Sequence, residues 1–106
     1  MTTFILLSKV SPASADQMSD LVEMDEVLAR ELAQSLPEVQ RIASYALLGA
    51  YDFMHIFEAP DAATAAKVAL LANRFGVRLT QTLTAIPFSE FKAIAGDVTR
   101  IQITRS

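Results

Sequence analysis

Between Val77 and Ala85 the chain alternates strictly, with Val77, Leu79, Gln81, Leu83 and Ala85 on one side of an extended backbone and Arg78, Thr80, Thr82 and Thr84 on the other. That pattern predicts a strand. Thr3–Val10 predicts another, apolar on both sides through Phe4, Ile5, Leu6 and Leu7, and broken by Pro12. Two other stretches follow helical spacing. Leu21, Met24, Leu28 and Leu32 recur along one face, with Glu23, Asp25, Glu26, Arg30 and Glu31 mostly elsewhere. Ser14 with Gln17, and Asp20 with Glu23, are capping-box patterns that open this helix, and Pro37 closes it. The second stripe is Ala65, Val68, Leu71, Ala72 and Phe75, entered through Pro60 with Asp61 as N-cap and stopped at Gly76.

Glu38–Leu48 and Tyr51–Ala59 read as a hairpin. A two-residue Gly49-Ala50 loop suits a type II′ turn, whose first central position needs positive φ and therefore glycine. Leu48 then faces Tyr51, and pairing runs outward through Leu47–Asp52, Ala46–Phe53, Tyr45–Met54, Ser44–His55, Ala43–Ile56 and Ile42–Phe57 to Arg41–Glu58. The last pair sets opposite charges across the strands, which favours the register. One face then carries Ile42, Ser44, Ala46, Tyr51, Phe53, His55 and Phe57. The other carries Arg41, Ala43, Tyr45, Asp52, Met54, Ile56 and Glu58.

The order β-α-β-β-α-β predicts an α+β, ferredoxin-like fold with a four-stranded antiparallel sheet, as one domain over residues 1–106. After Pro87 a short third helix should run to about Gly96, and Thr99–Thr104 should add an edge strand. Both long helices cover one sheet face, which leaves the other uncovered, with Phe4, Leu6, Phe53 and Phe57 assigned to it. Burying about 700 Å² of such surface per subunit corresponds to roughly 15–20 kcal/mol gross, before association costs. A homodimer or higher homo-oligomer, with sheets packed into a dimeric α/β barrel, is therefore the expected partner arrangement. The competing arrangement is a monomer whose third helix and tail fold back over that face.

Composition narrows the function. Of the 106 residues 52% are hydrophobic, the net charge is −3 and the pI is near 5.0, which disfavours a nucleic-acid partner. No cysteine and one histidine exclude thiolate sites and multi-histidine metal sites within a chain, and no metal or cofactor is expected. No basic leader or membrane span is seen, so a cytoplasmic location is expected.

His55 is the only side chain that ordinarily titrates near neutrality, and it is the candidate catalytic residue, as a general base. The alternative is a buried histidine held by Ser44 or a carbonyl. Around it, Ser44, Tyr51, Phe53 and Asp52 are candidate ligand-binding residues, joined by the hydroxyls of Thr80 and Thr82. Asp52 reads equally as a turn-capping carboxylate, and the threonines as ordinary strand formers. Two functions stand open: a protein that binds a small organic molecule, with cofactor-free acid–base or oxygen chemistry if it is an enzyme, and a non-catalytic accessory protein whose apolar face serves assembly.

The run Tyr45-x-Leu47-Leu48-Gly49-x-Tyr51-Asp52, followed by Glu58-Ala59-Pro60-Asp61, resembles the GYD-domain family of the dimeric α/β-barrel superfamily. The first strand TTFILL, Gly76-Val77-Arg78 and Thr82-Leu83-x-Ala85 extend the resemblance over residues 2–92, with the tail 96–106 beyond the family core. The resemblance implies a ferredoxin-like subunit and a homo-oligomer. It implies no set of catalytic residues, because the family has none agreed. The wider superfamily spans monooxygenases, haem-handling enzymes, isomerases and plain binding proteins.

Overall fold

The computed structural model describes residues 1–10, 18–74 and 77–101. In chain order its elements are β1 (Thr2–Val10), α1 (Met18–Ser35), β2 (Gln40–Ala46), β3 (Phe53–Ala59), α2 (Ala62–Asn73), β4 (Val77–Ala85) and α3 (Phe88–Arg100). Among the described residues the strands form one antiparallel sheet in the order β2-β3-β1-β4. This is the ferredoxin-like α+β arrangement that the element order predicts.

Residues directly opposite each other share a face. Phe4, Leu6 and Ser8 pair with Phe57, His55 and Phe53 on β3, and with Thr84, Thr82 and Thr80 on β4. Helices α1 and α2 cover this face: Leu28 and Leu32, with Leu36 just past α1, and Ala65, Val68 and Ala72 of α2 join Phe4, Leu6, Phe57 and Ala59 in the core. The assignment of Phe4, Leu6, Phe53 and Phe57 to the uncovered face is therefore corrected. The α2 stripe is made of small side chains, and the Phe4 and Phe57 rings, stacked 5.7 Å apart, supply bulk that a close-packed core requires. The uncovered face carries the other parity: half-buried Ile5, Leu7, Met54 and Ile56, with exposed Tyr45 and Leu83.

Local signals account for most boundaries. The Asp61 carboxylate accepts from the Thr64 amide at 2.8 Å and its hydroxyl at 2.7 Å, which caps α2. These bonds hold the Asp61 carboxyl below its usual value. The α1 helix ends two residues before Pro37, and Leu36 N–H donates to Leu32 O. The Ser14–Gln17 capping pattern, Phe75 and the Gly76 stop lie outside the described residues.

Two expectations change. The β2–β3 ladder ends where Leu47 N–H donates to Asp52 O at 2.8 Å, leaving Leu48–Tyr51 as a four-residue loop in place of a two-residue turn. Asp52 N–H donates to Ser8 O and the Tyr51 hydroxyl to Gln81 Oε1, so the loop is drawn toward β1 and β4. Gly49 does take positive φ, at 146°. Helix α3, for its part, passes through Gly96 to Arg100, so Thr99 and Arg100 are helical and do not begin a strand. The Thr99 hydroxyl donates to Ala95 O and Arg100 pairs with Asp97, which extends the last turn. Residues 102–104 of the expected strand lie outside the described residues. Helix α3 buries none of its residues, and does not fold back over the sheet.

Candidate functional site

The cluster around His55 depends on an irregularity in β2. Ser44 pairs with His55 and Ala43 with Ile56, but the next pairs are Arg41–Phe57 and Gln40–Glu58. Ile42 is thus the extra residue of a β-bulge. The expected Ile42–Phe57 and Arg41–Glu58 pairs are corrected accordingly. An extra residue inverts the parity of all that precedes it. Arg41 moves from the uncovered face to the helix-covered face, beside Ser44 and His55.

There the Arg41 guanidinium donates to Ser44 Oγ at 3.0 Å and to Asp25 Oδ1 of α1 at 3.3 Å, and lies 3.5 Å from His55 Nδ1. Ser44 Oγ is 2.8 Å from His55 Nδ1. Arginine can only donate. Ser44, accepting from Arg41, has its own hydroxyl proton to give to Nδ1. With the Arg41 guanidinium facing it, Nδ1 serves as the acceptor, Ser44 can donate to it, and the proton of neutral His55 sits on Nε2 in this arrangement. Burial first, and the Arg41 charge second, push the imidazole below its ordinary value of 6.5, with Asp25 opposing. His55 is consequently neutral at pH 7. Its ring lies nearly parallel to that of Phe53, with centroids 6.5 Å apart.

In this tautomer the one basic nitrogen of the imidazole accepts from the Ser44 hydroxyl, the geometry in which a histidine can take a proton from a serine, and Nε2 donates. The cluster also offers a partly exposed guanidinium and a hydroxyl on one side of a neutral ring.

The remaining sequence candidates are divided among places. Phe53, Ser44 and His55 share the helix-covered face. Thr82 and Thr80 belong to that face too, opposite Leu6 and Ser8, but β1 stands between them and β3. Two strand spacings are about 10 Å, and buried Leu6 fills the gap between Thr82 and His55. Tyr51 reaches Gln81, whose cross-strand partner is Leu7, so it lies toward the uncovered face and apart from His55. Asp52 ties the loop through its backbone. Sequence reading missed Arg41 and Asp25 as members of the cluster, and Gln81 as the partner of Tyr51. No residue pattern announces the bulge at Ile42 that brings Arg41 in.

A family model described as the GYD domain matches residues 4–95. A protein of Thermus thermophilus named glutamine synthetase and cystathionine beta-lyase binding protein is 40% identical over 94 residues, covering 88% of this chain and 97% of the relative. Among solved structures, an AsnC family transcriptional regulator from Agrobacterium tumefaciens superposes with a TM-score of 0.60 at 17% identity. A Neisseria meningitidis transcriptional regulator solved with L-methionine gives 0.54 at 18%. Each superposition covers 99% of this chain and 55% of the regulator, so the chain spans about half the regulators' length. At such identities the likeness is one of fold.

Proposed function

This chain belongs to the GYD-domain family, and from that membership we propose that it is a non-catalytic, homo-oligomeric protein that binds metabolic enzymes and modulates them. The observation that carries this reading is the relative, similar over nearly its whole length, whose name states that it binds glutamine synthetase and cystathionine beta-lyase. One feature of the molecule supports it. Apolar surface is abundant on the uncovered sheet face and along α3, the kind of surface through which proteins associate. No described helix is long and apolar enough to cross a membrane. The uncovered face is shielded by another copy, and enzyme partners meet the assembled oligomer.

The test is direct. Purified protein is mixed with glutamine synthetase and with cystathionine β-lyase of the same organism and followed by size-exclusion chromatography with light scattering. Co-elution with either enzyme is expected. Independent elution from both at tens of micromolar defeats the reading.

A second reading belongs to the Arg41 cluster. A partly exposed guanidinium beside a hydroxyl is suited to the carboxylate of a small organic ligand. Thermal-shift screening of small carboxylic acids against the wild type and Arg41→Met tests it: a stabilisation that the variant loses is the expected outcome.

A further inference from the structure

Helix α3 is amphipathic and, among the described residues, buries none of its side chains. Phe88, Phe91, Ile94, Val98 and Ile101 fall on one side of the helix, while Ser89, Asp97 and Arg100 fall on the other. With about 150–200 Å² available to each such residue, exposures of 70, 47, 45, 61 and 62% along that stripe amount to about 500 Å² of apolar surface. The same chain has one other large apolar surface without a cover, the sheet face of Ile5, Leu7, Met54, Ile56 and Leu83. The two do not meet within a protomer. Only Ile86 and Pro87 join β4 to α3, and Pro87 is extended at φ −53° and ψ 139°. The molecule measures 64 Å along its longest axis, whereas a nine-residue strand is about 30 Å long, so α3 projects away from the sheet.

We infer that α3 is exchanged between two copies, each helix lying across the uncovered sheet face of its partner. This rests on the homo-oligomer proposed above and specifies what forms it. The dimensions agree. Thirteen residues make a helix about 20 Å long, and four strands span about 15–20 Å. Reciprocal docking buries about 500 Å² on each of two helices and about 300 Å² on each of two sheets, about 1,600 Å² in all. A stable protein interface needs about 1,200–2,000 Å². A second copy is the occupant that these observations select, because a single chain carries both halves of the contact in equal number. The outward side of α3, with Asp97 and Arg100, stays in water.

The experiment measures mass by light scattering from about 0.1 to 100 µM for the wild type and for Phe91→Glu/Ile94→Glu. Both residues are exposed in the protomer, so the variant keeps the fold, checked by circular dichroism. A dimeric wild type and a variant at least tenfold weaker in association are expected. A variant that stays fully dimeric overturns the exchange while leaving the homo-oligomer standing, with the sheets packed on each other directly. A wild type monomeric throughout overturns both. Because the chain has no cysteine, Ile94→Cys and Ile56→Cys proteins can be mixed and treated with a short bis-maleimide. Cross-linked heterodimer is expected. Cross-linking confined within one chain of the double variant overturns the exchange.

Discussion

Burial of the imidazole first, and the Arg41 guanidinium 3.5 Å from it second, keep His55 neutral. The sign of the pH dependence follows. A histidine whose value is lowered on folding releases its proton more readily in the folded chain, so its contribution to stability is complete above the unfolded value of 6.5 and lost as pH falls through the lowered folded value. Urea midpoints should hold steady from pH 8 to 7 and decline as pH falls below 6.5, with His55→Gln flattening that decline. Arg41→Met, followed by NMR titration of the imidazole, should raise the His55 value yet leave it under 6.5, because burial is the larger cause. The Arg41–Asp25 pair is partly exposed, so Asp25→Asn should cost less than about 1 kcal/mol and lower the His55 value further. Ser44 and His55 could be paired from the hairpin register alone. The Arg41 contact could not, since it needs one unpaired residue at position 42.

Elements formed where local chemistry was strong and shifted where contacts beyond the element outweighed it. The Asp61 cap is a short-range bond to Thr64, three residues on, so its place was legible. The Gly49 turn was legible as a place of positive φ, but its length was set by Ser8 and Gln81 from other strands. Gly96 reads as a stop because glycine is the weakest ordinary helix former, costing about 1 kcal/mol against alanine. It is passed because Phe88, Phe91, Ile94 and Val98 continue one apolar face through it. A Cβ at Gly96 would meet nothing within 4 Å. Gly96→Ala should therefore strengthen α3 by about 0.5–1 kcal/mol, seen as greater ellipticity at 222 nm and a higher thermal midpoint.

At the scale of the whole molecule, one helix-covered face holds the core and the other is left uncovered within the protomer, where a second copy is proposed to dock. Leu6 lies at the centre of the covered side, between His55 and Thr82. Leu6→Ala should cost about 2–5 kcal/mol in urea unfolding, among the largest effects of any single truncation. Leu83→Ala, on the uncovered side, should leave the protomer's secondary structure intact and weaken association instead, visible as a dissociation midpoint moved to higher concentration. The contrast between the two separates folding of the subunit from assembly.

Alternation and helical spacing are properties of neighbours along the chain, so element order, strand parity, the α2 cap and the ferredoxin-like plan could all be read from residues alone. Which parity the helices would cover and where a strand would bulge depend on contacts between distant segments: small α2 side chains against aromatic rings, and Arg41 against Asp25. Those contacts exist only once the chain is folded, because β1 is apolar on both sides and its sequence expresses no preference between them.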